Sequence, residues 1–163
     1  MNKKEIKIDY WEYDTEQELS AQEQELLKQA RVITDSAYAP YSQFHVGAAL
    51  LLKNGKIVTG NNQENVAYPS GLCAERVAIY AAGAHYPEVP IEAIAVTCKS
   101  KTFHVNEPLS PCGACRQAIA EYEMRYKTSI KIILAGETGK IRVVKSISDL
   151  LPFMFKAEEL KKS

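Results

Sequence analysis

No stretch of this sequence stays apolar for long, neither sign of charge prevails, and arginine and aromatic residues are scarce; each shortage removes a class of function. Twenty basic and twenty acidic side chains cancel, and only five of the basic ones are arginine, so the electrostatic footprint of a nucleic-acid binder is missing. A small-molecule partner is expected instead. The start, Met1-Asn2-Lys3-Lys4-Glu5, is charged with no apolar run behind it. That argues against a signal peptide and against a membrane partner, and a cytoplasmic protein is expected. Repeats and low-complexity linkers are lacking as well. The 163 residues, 46% hydrophobic, suit one domain with a real core.

Along the chain, residues 5 to 13 show weak strand-like alternation in a charged setting and read as an N-terminal arm. From Thr15 the apolar positions Leu19, Leu26, Leu27, Ala30, Ile33 and Ala37 recur near helical spacing until Pro40. Gln43 to Leu52 and Lys56 to Gly60, joined through Asn54-Gly55, give the clearest hairpin signal. A polar stretch, 61–65, and a Tyr68-Pro69-Ser70-Gly71 loop lead to a helix that begins at Cys73. Ile91 to Cys98 reads as a buried strand, Ser110-Pro111 as a helix start with serine as cap, and Ser129 to Ala135 and Lys140 to Val144 as the last strands. Helices between apolar strands predict a three-layer α/β/α sandwich around a five-stranded mixed sheet, with residues 1–20 as an extension and 21–163 as the domain.

Four cysteines in a reducing compartment are better read as ligands or redox groups than as disulfides. Cys73-Ala74-Glu75-Arg76 and Pro111-Cys112-Gly113-Ala114-Cys115 together offer three thiolates, a carboxylate and a guanidinium. Three thiolates suit Zn²⁺ with one position left for water, and a glutamate two residues from a ligand can act as the base that a closed structural site does not need. A Cys-x-x-Cys by itself would fit a structural zinc half-site or a redox pair, but Cys73 and Glu75 tip the balance. Arg76, three residues after Cys73 on the same helical face, can donate to a ligand sulfur and offset the excess negative charge. Cys98 lies in an apolar run and reads as a small buried hydrophobe rather than a fourth ligand. His45, His85 and His104 have no ligand-like spacing.

With these residues in hand, the chain resembles the small homotetrameric cytidine deaminases that act on free nucleosides. The likeness rests on residues 38–49, on Gly60-Asn61-Asn62-Gln63-Glu64-Asn65, on the two cysteine motifs and on Leu150-Leu151-Pro152 with Phe155, all in the family's order. It implies that Cys73, Cys112 and Cys115 bind zinc, that Glu75 shuttles protons, and that Arg76 neutralises charge. It further implies that Asn62 and Glu64 hold the ribose 3′-hydroxyl, that Phe44 packs on the pyrimidine, and that the Ala74 N–H reaches the base. Tyr41, Tyr68 and Phe155 would be aromatics near the site, with Phe155 entering a neighbouring subunit of a homotetramer. The arm before residue 20 and the loop from Thr102 to Leu109 exceed the family's usual length. The implied reaction is zinc-dependent deamination of cytidine and deoxycytidine. Rival readings are a deaminase of another free substrate, a polynucleotide editing deaminase and a non-enzymatic zinc module.

Overall fold

The Asn54-Gly55 turn forms as its residue types require: Gly55 takes a left-handed φ of 80°, and the Asn54 side chain accepts from the Lys56 N–H at 3.1 Å. It joins β2 (Phe44–Leu52) to β3 (Ile57–Asn61) in an antiparallel hairpin. The computed structural model describes residues 1–156 and residue 160. Besides this hairpin it contains β1 (Trp11–Tyr13), β4 (Ile91–Ser100), β5 (Lys131–Ala135) and β6 (Ile141–Val144). The helices are α1 (Ala21–Ile33), α2 (Ala74–His85) and α3 (Gly113–Tyr126). The sheet runs β1-β6-β5-β4-β2-β3, and β4 with β5 is its parallel pair, bridged by the α3 crossover.

The two faces of β2 show how the layers arise. Ala48, Leu50 and Leu52 bury against α2 and α3, while Ala49 and Leu51 bury against α1. Each such leucine contributes about 1.5–3 kcal/mol on burial. The α/β/α sandwich expected from the sequence therefore stands. The strand count does not: the sheet has six strands, because Trp11–Tyr13 pairs antiparallel with Ile141–Val143. The reason lies in contacts between residues far apart in sequence. Glu12 accepts from Lys140 Nζ at 2.7 Å and from Arg142 Nε at 3.0 Å, and Lys145 Nζ sits 4.9 Å over the Trp11 ring. Just beyond this arm, Leu19 is buried in the cluster on the α1 side of the sheet.

Two helices start later than the sequence suggests. Ser20 caps α1 through a reciprocal pair in which the Ser20 N–H donates to Glu23 Oε2 at 2.9 Å and the Glu23 N–H donates back to Ser20 Oγ. The segment from Thr15 makes only a single 3₁₀ turn, Glu16–Glu18. In α3 the cap is Cys112 rather than Ser110, and the Pro111 carbonyl instead accepts from the Arg116 side chain at 2.9 Å.

Candidate active site

Both site helices begin at a cysteine. Cys73 is the residue before α2 and Cys112 the residue before α3, each in extended backbone, so two helix N-termini with their unpaired N–H groups converge on one point. Gly60 of β3 permits the approach: a Cβ there would lie 2.5 Å from the Ala78 nitrogen and 2.7 Å from the Ala74 carbonyl oxygen. The first turn of α2, carrying Cys73 and Glu75, is thus seated directly on the sheet.

The sulfurs of Cys73, Cys112 and Cys115 lie within 4.8 Å of one another. Cys73 and Cys112 are 3.8 Å apart, and Cys112 and Cys115 are 3.5 Å apart. Tetrahedral Zn²⁺ with bonds of about 2.3 Å requires sulfurs roughly 3.8 Å apart, so the cradle has the size of the ion. Hydrogen bonding from the Cys115 thiol and from Arg76 pulls the Cys73 thiol down, against the opposing effect of burial. Cys115 is driven up by its bond to Cys73 and by burial. A cation bound by the three sulfurs would favour the thiolate form that metal ligation requires. Cys98 is buried in β4 and takes no part in this group.

Arg76 Nη2 donates to Cys73 Sγ at 3.6 Å, and its buried Nε has no hydrogen-bond partner among the described residues. Glu75 is only 4% exposed yet lines the same cleft as Cys73 and Cys112. Burial pushes its carboxyl above the ordinary range, and a thiolate at Cys73 adds to the shift, so it is suited to holding a proton in transit.

The cleft has a volume of about 900 Å³ and brings together Phe44, Asn62, Glu64, Tyr68, Cys73, Glu75, Arg76 and Cys112, with Tyr41 at its edge. Cys115 and Ala74 are fully buried and do not line it. Phe155 does not line it; the residue is 70% exposed, and its carbonyl accepts from Gln117 Nε2 at 3.1 Å.

The polar wall is built by side chains that complete backbone pairing. Asn62 Oδ1 accepts from the Val46 N–H at 2.8 Å and its Nδ2 donates to the Phe44 carbonyl at 2.9 Å, which fixes Asn62 against the start of β2 and leaves one amide hydrogen free for a ligand. Glu64 Oε2 accepts from the Tyr41 N–H at 2.8 Å and the Ser42 N–H at 3.3 Å, while Ser42 Oγ donates to Oε1. Burial raises the Glu64 carboxyl, but these donors outweigh it and hold the group below its ordinary value. Ahead of Phe44, Gln43 adopts a left-handed φ of 56°, held by Nε2 donating to the Ala39 and Pro40 carbonyls.

Sequence reasoning passed over three residues of this wall. Ser42 supports Glu64, and Phe103 and Leu109 reach the cleft from the 101–110 loop. The unusual length of that loop is the one sequence feature that pointed there.

Comparison with known proteins agrees with this geometry. A family model described as the cytidine and deoxycytidylate deaminase zinc-binding region matches residues 20–130. The cytidine deaminase of Halalkalibacterium halodurans is 39% identical over 137 residues, covering 84% of this chain and 96% of that protein. The cytidine deaminase of Sporosarcina psychrophila is 38% identical, over 84% of this chain and 93% of that protein. Among solved structures, the cytidine deaminase of Burkholderia pseudomallei superposes with a TM-score of 0.69 at 40% identity, over 80% of this chain and 97% of that one. That of Mycobacterium tuberculosis gives 0.63 at 32%, over 82% and 96%. With a family match across residues 20–130 and relatives aligned over nearly their whole length, the chain belongs to the cytidine and deoxycytidylate deaminase zinc-binding family.

Proposed function

We propose that this protein is a cytidine deaminase that hydrolyses the C4 amino group of free cytidine and deoxycytidine. The carrying observation is the buried carboxyl of Glu75 lining the same cleft as Cys73 and Cys112, whose sulfurs are spaced with that of Cys115 for one tetrahedral metal ion. When bound there by Cys73, Cys112 and Cys115, Zn²⁺ supplies a Lewis acid that makes water a nucleophile near neutral pH. Glu75 takes a proton from the attacking water as it adds to C4 and passes it to N3, then takes the second proton from the new C4 hydroxyl and passes it to the amine, which leaves as C4=O forms. Cytidine and water become uridine and ammonia. Arg76, donating to Cys73, moderates the electron density that three thiolates would otherwise place on the ion.

Phe44 forms the wall on which the pyrimidine packs, with Tyr68 at the mouth of the cleft, and the N–H of the buried Ala74 at the α2 start is assigned to the base. Asn62 and Glu64 hold the ribose 3′-hydroxyl through the hydrogen-bonding capacity they have left. A strand continued at that position would place a phosphate against a carboxylate, which disfavours polynucleotides along with the absence of net charge. No helix among the described residues is long and apolar enough to cross a membrane.

Assembly as a homotetramer belongs to the same reading. Phe153 and Phe155 are 90% and 70% exposed, Tyr68 is 79% exposed, and Phe155 stays outside its own cleft. A second copy that covers these rings and receives Phe155 accounts for both features.

The test is ammonia release from cytidine, deoxycytidine, cytosine and CMP side by side. Turnover of the two nucleosides well above the free base and the nucleotide is expected. Preference for the base or for CMP would remove the ribose assignment.

A further inference from the structure

The loop between β4 and α3 does more than connect them. Its Phe103 ring stacks on Phe44, with centroids 5.8 Å apart and planes 14° from parallel, and both rings line the cleft. Phe103 is nonetheless 58% exposed, so the hydrophobic effect alone does not hold it there.

What holds it is a set of hydrogen bonds at the loop's two ends. Glu137, in the turn between β5 and β6, accepts at Oε1 from the Ser100 N–H at 2.9 Å and from the Val105 N–H at 3.4 Å. The Glu137 N–H donates to the Val105 carbonyl at 2.8 Å, and His104 stands 3.4 Å from Glu137 Oε2 while bonding Thr138 Oγ1 at 2.7 Å. The Lys101 N–H donates to the Gln43 carbonyl, which ties the loop to the left-handed residue just before Phe44. The N–H bond from Ser100 keeps the Glu137 carboxyl below its ordinary range, so the clamp is ionised at neutral pH.

We infer that Phe103 is a positioning residue for the nucleoside base: stacked on Phe44 and set by the Glu137 clamp, it fixes the plane of the aromatic wall against which the pyrimidine is held. This rests on the deaminase reading and adds to it a pair of residues, Phe103 and Glu137, outside the motifs that carry that reading. An unsupported Phe44 ring, following a strained residue at the open end of β2, would turn between orientations, and substrate binding would bear the cost of ordering it. An aromatic pair of this kind is worth a factor of roughly 2–12 in an equilibrium.

The experiment measures kcat and KM for cytidine in zinc-loaded full-length protein. Phe103→Ala is expected to raise KM by roughly 2- to 12-fold with kcat changed by less than about twofold. Phe103→Tyr is expected to restore the wild-type KM, whereas Phe103→Leu, apolar but unable to stack, is not. Glu137→Ala is expected to raise KM in the same direction, and the double variant Phe103→Ala with Glu137→Ala to be no worse than Phe103→Ala, because Glu137 acts through Phe103. Unchanged KM in Phe103→Ala, full rescue by leucine, or additive effects in the double variant would each overturn the inference while leaving the deaminase reading intact. Wild-type protein that releases no ammonia from cytidine would overturn that reading and the inference with it.

Discussion

Glu64 uses one carboxylate for two purposes, bracing the 41–42 backbone and facing the cleft. A charge-assisted hydrogen bond to a ligand hydroxyl contributes about 1.5–3 kcal/mol, so Glu64→Ala should raise KM for cytidine by roughly 10- to 150-fold. Zinc content should not change, since no cysteine leans on Glu64. The decisive comparison is cytidine against its 3′-deoxy analogue: the variant should discriminate little between them, and a ratio equal to that of the wild type would refute the ribose contact. At this scale the site was largely legible in the sequence. Thiolates, a proton-transfer carboxylate and a guanidinium are demanded by chemistry that few other residue types can supply, so Cys73, Cys112, Cys115, Glu75 and Arg76 stand out by type and spacing. Phe103 does not, because an aromatic ring in a loop acquires meaning only from the ring it meets, here Phe44, which lies far from it in sequence at the start of β2.

Among the elements, what could be read was what is decided locally. Asn54-Gly55 dictated the hairpin, and the continuous apolar runs of β4 and β5 marked strands buried on both faces. The start of α1 was also written locally, in Ser20 and Glu23, since a serine followed three residues on by glutamate is a capping box; the apolar periodicity running back to Leu19 obscured it. The start of α3 was not local. Serine is the better cap in isolation, but the Cys112 backbone is extended and Arg116 reaches back to Pro111 and on to the Leu150 carbonyl at 2.6 Å, tying this turn to the C-terminal segment. Strand β1 owes its place to Glu12, Lys140 and Arg142, charges some 130 residues apart whose pairing no alternation pattern encodes. Gly60 belongs here as well: its missing side chain sets the depth at which α2 sits, and hence where Cys73 and Glu75 are presented.

For the whole molecule, the open cleft and the exposed Phe155 are complementary halves of one expectation. Gln117 holds the backbone carbonyl of Phe155, while the residue stays largely exposed and outside the cleft of its own chain. Burying a phenyl ring contributes about 1.5–3 kcal/mol, so Phe155→Ala should both raise KM for cytidine and weaken assembly in sedimentation at micromolar concentration. A wild-type protein that is fully active as a monomer would end the tetramer proposal. The central claim, however, is that one chain's three-cysteine cradle and its buried glutamate form a catalytic rather than a structural metal site. The measurement that addresses it most directly is zinc content and ammonia release from cytidine in wild type and in Glu75→Gln, prepared in parallel. Equal zinc in both proteins and a loss of turnover on the order of 10²–10⁴ in the variant are expected. Equal zinc with near wild-type turnover would contradict that claim.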